Sequence, residues 1–314
     1  MHLLIPFASA LTEASSHVLR DLHLPNLARL LARLAPAAAD SADEYTLSPP
    51  HERALAAARG WRGADGALPF AAHSAAIDGV DTGELAWGLV TPAHWHVGRD
   101  HVTLADPEAL QLTEAESRAA FEAVRDLFES EGFTLAWGAP SRWYAAHDSL
   151  ADLPCASLDR VIGRNVDLWI GQGSKASPQA RLVRRLQSEV QLLLYPHAIN
   201  EEREQRGALT LNSFWLSHCG RAQTTRAHDG LVNDSLRAPL LAQDWAAWAD
   251  AWRALDAGAL SSLLTQAQAG KPASLTLCGE RNAQRFDNST PRSLWQQLGS
   301  HFRSPEPHTI LEAL

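Results

Sequence analysis

Lysine is almost missing from this 314-residue chain, with Lys175 and Lys271 its whole complement. That scarcity disfavours Schiff-base chemistry, which needs an amine nucleophile. A positive charge balance is missing too. The formal net charge is -9 and the isoelectric point is about 5.8, which argues against nucleic acid or an anionic membrane as the main partner. An acidic whole can still hold a local basic pocket for a small anion. Cys155, Cys219 and Cys278 are too few and too scattered for a zinc site or a disulfide framework, so reduced thiols are expected. No apolar run approaches the roughly 18 residues of a membrane span, and the opening MHLLIPFASAL lacks the basic lead of a signal peptide. A cytoplasmic protein is the expectation. Dinucleotide-binding glycine motifs, a P-loop lysine and a G-x-S-x-G elbow are also absent.

What the chain has is apolar material. Hydrophobic residues make up 46% and charged residues 20%, enough for a real core in one large domain or two ordinary ones. Residues 2–7 fit a buried first strand. Residues 17–34 repeat apolar positions at helical spacing, with a break at Pro25. The Ala- and Asp-rich run 35–45 reads as a surface loop. A helix is expected over 50–59, closed by Gly60, and 60–77 reads as loop. Residues 85–90, 94–97 and 101–104 read as paired strands, with a hairpin at Gly98-Arg99-Asp100. His94 and His96 would share one strand face, because side chains alternate. With His101 they form either a zinc or copper site or a set of half-buried sheet histidines. Thr113 and Glu116 form a capping box opening the next helix, and strands follow at 133–137 and 143–144. Trp245, Trp248 and Trp252 are three and four apart, the packed stripe of a helix over 242–255. The eleven tryptophans overall suit packing more than a ligand cage. A helix over 257–269, a strand at 275–277 and a closing helix carrying Phe286, Leu294, Trp295 and Leu298 complete the reading.

The most specific stretch is 181–220. Leu182, Val183, Leu186, Val190, Leu193 and Leu194 lay an apolar stripe along a helix that Pro196 ends. A polar connector over 200–206 leads to a short strand near Leu209–Leu216 and a loop at His218-Cys219-Gly220. The fixed points are His197, Asn200, Arg203, Gly207, Asn212 and Gly220, the last four at offsets 3, 7, 12 and 20 from Asn200. Two uses suit Asn200, Arg203, Asn212 and the adjoining Ser213. They brace the helix-to-strand connection by binding backbone groups, or they face a bound anion, to which a guanidinium fork is suited.

This pattern resembles that of the archaeal-type cofactor-independent phosphoglycerate mutases, of the alkaline phosphatase superfamily. One position departs, since Ser217 stands where the family carries an arginine. The resemblance implies an α/β fold, with a reduced alkaline-phosphatase-like core over 1–80 and 221–314 and an inserted α+β domain over 81–220. It also implies two divalent metals held by Asp and His and a nucleophilic hydroxyl. Here the first strand runs into Pro6-Phe7-Ala8-Ser9 instead of a metal-binding aspartate. His51 and Glu52 stand at the nucleophile's helix N-terminus, and Glu280-Arg281 replaces a closing Asp-His. An arginine cannot ligate a cation. The chain is also similar from end to end to bacterial regulatory proteins of the RpfE type. The expectation is a catalytically degenerate relative without a cofactor, binding a small anionic metabolite or a regulatory protein partner. The alternative is a metal-dependent phosphomutase or phosphatase using Mn, Mg or Zn in a rearranged site. There His51 and Glu52 would be catalytic, with His228 and Asp229 as weak metal ligands.

Overall fold

The computed structural model of the chain describes residues 1–170, 177–227, 230–289 and 306–314. The strands, in chain order, are β1 (His2–Ile5), β2 (Ala35–Ser41), β3 (Ala86–Ala93), β4 (Trp95–Val97), β5 (Val102–Leu104), β6 (Thr134–Ala139), β7 (Arg142–Ala146), β8 (Ser213–Arg221), β9 (Gly230–Val232), β10 (Ser274–Cys278) and β11 (Asn282–Asp287). The helices are α1 (Glu13–Asp21), α2 (Pro25–Arg33), α3 (Pro50–Arg59), α4 (Phe70–Ile77), α5 (Glu114–Glu129), α6 (Leu158–Val161), α7 (Pro178–Leu194), α8 (Ala198–Gln205), α9 (Arg237–Leu241), α10 (Trp245–Leu255), α11 (Ser261–Gln268) and α12 (Pro307–Glu312). The fold is mixed α/β, in two compact units. One comprises Met1–Tyr45, Pro49–Arg59 and Arg226–Leu314, and the other Thr46–Ser48 and Gly60–Thr225. No helix among the described residues is long and apolar enough to cross a membrane.

In the first unit a five-stranded sheet runs β2-β11-β10-β1-β9. Strand β1 is parallel to both β10 and β9, while β11 and β2 are antiparallel additions. Alternation splits the strands between two faces. Leu3, Ile5, Leu275 and Leu277 join a core with Leu27, Leu30, Trp248 and Trp252. Leu4 and Cys278 point the other way, against Ala54 and Leu55 of α3. Helix α2 begins at Pro25 without a cap of its own. The buried Asp256 carboxylate supplies one from a distance, accepting the Asn26 and Leu27 N–H groups at 3.1 and 2.8 Å.

Two expectations are corrected here, and a third falls on residues outside those described. Residues 35–41 are the edge strand β2, not a loop, because its pairing to β11 is by backbone and needs no apolar alternation. Phe286 lies in β11 rather than in a helix. Leu294, Trp295 and Leu298 fall outside the described residues.

In the second unit an antiparallel sheet runs β6-β7-β3-β8. Helices α5 and α7 cover one face through Phe121, Val124, Leu186 and Val190. Helix α4 covers the other, in a stretch expected to be loop. Its Ala71, Ala72 and Ala75 are small enough to lie directly on Trp87, Tyr144 and Ala146. Asp78 pins its end, accepting two hydrogen bonds from Arg142 at 2.9 and 2.8 Å and one from the Tyr144 hydroxyl at 2.6 Å. The guanidinium holds the Asp78 carboxyl below the usual carboxylate range. Burial, with that carboxylate beside it, pushes the Tyr144 phenol up. Cys155 and Cys219, far apart in sequence, lie with sulfurs 3.7 Å apart as thiols. Strand β8 runs through His218-Cys219-Gly220, which was expected as a loop, and a bulge against β3 absorbs the change of register. The polar connector over 200–206 proves to be helix α8, capped by the His197 imidazole accepting from the Ile199 N–H.

Candidate functional site

The carboxyl end of β1 and β10 is the place where an open parallel sheet ordinarily binds its ligand. The chain leaves β1 through Phe7, held at φ 57° in the left-handed region. The Trp248 indole donates to the Phe7 carbonyl at 3.2 Å, and the Ala8 N–H donates to the Cys278 carbonyl at 2.8 Å. The Phe7 ring lies 5.0 Å from the His51 ring at the start of α3. A Cβ on Gly279 would fall 2.4 Å from the Ser9 hydroxyl and 2.5 Å from Leu314, so no side chain fits at this position. The Glu280 carboxylate accepts the Leu11 N–H at 3.1 Å. Arg53 binds Asp40 at 2.6 Å and the Arg281 carbonyl at 3.1 Å. Burial pushes the Cys278 thiol up, against the smaller pull of Arg53. The Glu52 N–H donates to the Pro49 carbonyl, as a first-turn helix residue does. His228 and Asp229 lie outside the described residues.

The 197–220 motif is a brace. Arg203 is fully buried. Its Nε donates to the Leu209 carbonyl at 2.6 Å, its Nη1 to Glu116 at 2.8 Å, and its Nη2 to the Leu110 carbonyl. Asn200 gives its amide hydrogens to the Leu194 and Leu211 carbonyls at 2.8 and 2.7 Å and accepts the Leu211 N–H at 2.8 Å. Asn212 embraces the backbone of Trp95, accepting its N–H at 2.8 Å and donating to its carbonyl at 3.0 Å. Gly207 ends α8 with φ 72°. Gly220 passes Pro69 so closely that a Cβ would meet the proline Cβ at 3.1 Å. The Ser213 hydroxyl is buried with no partner among the described residues. Asn200, Arg203 and Asn212 thus place their hydrogen bonds on internal groups, as a brace does. Three of the five guanidinium N–H groups go to these internal acceptors, and the side chain is fully buried.

Glu116 does double duty. It closes the capping box of α5 through the Thr113 N–H and hydroxyl, at 2.9 and 2.7 Å, and it receives Arg203. Desolvation works to raise its pKa, but the Thr113 and Arg203 hydrogen bonds win and hold the carboxyl down to about 2. A depressed carboxylate stabilises the fold above its unfolded pKa and loses that contribution as pH falls. The gap in unfolding midpoint between the parent chain and Glu116→Gln is therefore expected to be full at pH 7. It should shrink from about pH 4.5 towards pH 2 in denaturant titrations.

The opening in this unit lies elsewhere, along the solvent side of α7. A cleft of about 490 Å³ is lined by Trp95, Asp167, Ile170, Arg184, Gln187, Ser188 and Gln191. It shares Ile170, Arg184 and Gln187 with a narrow apolar crevice of about 50 Å³ walled by Trp169, Val183 and Trp215. The volume suits a small metabolite. The Trp95 indole N–H is buried with no acceptor among the described residues. Gln187 donates to the Phe214 carbonyl at 3.2 Å, which fixes the floor. One guanidinium, a hydroxyl and a second amide suit a carboxylate or phosphate end. Asp167 offers an acceptor for a ligand hydroxyl. Arg184 and Gln187 fall between the apolar positions of the α7 stripe, and nothing in the sequence marks that arc as lining a cleft.

No protein-family model and no curated protein matches the chain. Among solved structures it is similar to the cofactor-independent phosphoglycerate mutase from Thermoplasma acidophilum, with 13% identity and a TM-score of 0.35 over 100% of this chain and 99% of that one. It is also similar to the PH0037 protein from Pyrococcus horikoshii, with 12% identity and a TM-score of 0.46 over 100% and 97% of the two chains.

Proposed function

We propose that this chain is a phosphoglycerate mutase-like protein of reduced catalytic capacity, its second unit the inserted domain, which binds a small anionic metabolite in a regulatory role. The family reading is supported by the spacing of His197, Asn200, Arg203, Gly207, Asn212 and Gly220. The reduced chemistry is supported by the carboxyl end of β1 and β10. Phe7 and Ser9 follow β1, Glu280 is turned onto the Leu11 N–H, and Arg281 follows it. The observation that carries ligand binding is Arg184 in the α7 cleft, with Ser188 and Gln191 along the same helix. Asp167 favours a hydroxylated carboxylate or phosphate ester over plain phosphate.

Calorimetric titration with 3-phosphoglycerate, citrate and inorganic phosphate tests this. Saturable binding of at least one hydroxylated anion is expected, weakened about 10-fold or more by Arg184→Ala, since a charge-assisted hydrogen bond contributes about 1.5–3 kcal/mol. Arg203→Met should lower stability without entering the binding site. Heat exchange with none of the anions, or binding indifferent to Arg184→Ala, sinks the metabolite reading. Turnover of phosphoglycerate in added Mn, lost in His51→Ala, would replace it with the working-enzyme alternative.

A further inference from the structure

We infer that His94 and His96 form a two-imidazole site for a borderline transition metal, Cu(II) before Zn(II), on the β4–β5 hairpin. His94 Nε2 and His96 Nδ1 are 3.2 Å apart. With metal–nitrogen bonds of about 2.05 Å, that separation spans a ligand–metal–ligand angle of roughly 100°, between square and tetrahedral geometry. The rings meet at 72° with centroids 4.5 Å apart. His96 is exposed, so a turn of its ring aims both lone pairs at one point and leaves solvent an open route in.

The half-buried His94 is prepared for the task. Its Nδ1 lies 2.7 Å from the Thr210 carbonyl. A carbonyl only accepts, so Nδ1 carries the hydrogen and Nε2 keeps its lone pair. Fixing the distal nitrogen on a carbonyl is the arrangement that orients metal-bound imidazoles. Burial, opposed by that carbonyl and joined by the His96 and Arg203 charges, lowers the His94 pKa. The Arg203 charge is itself met by Glu116. The backbone between the two rings is held, because Asn212 clamps both backbone groups of the intervening Trp95. Imidazole donors with solvent in the remaining positions favour copper over zinc, manganese and magnesium.

The test is titration of the chelator-treated full chain with Cu(II), read by electron paramagnetic resonance, with Zn(II) calorimetry beside it. One equivalent of copper with coupling to two nitrogens is expected. His94→Ala and His96→Ala should each weaken it by about 100-fold, the upper end of what losing even an outer-shell partner costs. His101→Ala, His51→Ala and Arg184→Ala should leave it unchanged, the last separating this site from anion binding in the α7 cleft. His96 is exposed, so His96→Ala is expected to fold, and circular dichroism verifies that. Unaltered copper binding in His96→Ala, loss in His51→Ala, or no bound copper at all would each overturn the assignment.

Discussion

Replacing Arg203 with methionine is expected to cost about 3–5 kcal/mol in chemical denaturation, the scale for breaking a buried ion pair from one side. The side chain is fully buried, and it serves three acceptors in different parts of the second unit. Methionine fills much of the volume but serves none of them. The Leu209 and Leu110 carbonyls lose their donor, and Glu116 keeps Thr113 and the exposed Arg206. The loss should be confined to this unit, with earlier hydrogen exchange in β8 and the first turn of α5 as its signature. Because Arg203 and Glu116 share one interaction, the double variant Arg203→Met/Glu116→Gln should lose less than the sum of the two. Full additivity would mean that the pair is not coupled.

The second large effect belongs to the first unit. Trp248→Ala is expected to destabilise it by about 3–5 kcal/mol, the range for emptying a large aromatic site. Trp248 is fully buried between Trp245 and Trp252, with ring centroids 6.0 and 6.3 Å away. Its indole N–H also holds the Phe7 carbonyl, at a residue whose left-handed backbone is costly outside glycine. Trp248→Phe keeps most of the packing and removes only that hydrogen bond. It should cost about 1–3 kcal/mol and act chiefly on the Phe7 turn. Equal losses in the two variants would show that packing contributes little.

Sequence periodicity located most of the helices because each had a stripe to bury. The Trp245, Trp248 and Trp252 stripe, the capping box of α5 and the stripe of α7 all read correctly. The misses have separate causes. Strand β2 is a mostly exposed, alanine-rich edge, the buried alanines of α4 leave no apolar pattern, and β8 continues through a bulge that resembles a turn. The motif residues were legible as important, but their task was not. Spacing cannot say whether a guanidinium faces an anion or three buried acceptors. The α7 cleft was hidden for a different reason, since a polar helix face reads the same whether it meets solvent or a cavity. The neighbourhood of His94 and His96 was foreseen from strand alternation alone, and the structure brings those two together.

The pairing of β1 with β10 joins His2 to Ser274. During synthesis, Leu3, Leu4 and Ile5 therefore leave the ribosome long before the strand that covers them exists. At roughly 5–20 residues per second, the wait is on the order of tens of seconds. The segment between Gly60 and Thr225 can complete its own sheet within that interval. Strand β1, by contrast, waits with both of its edges unpaired, which invites chaperone capture. Yield in the cell should thus respond to chaperone supply through β1 more than through any loop.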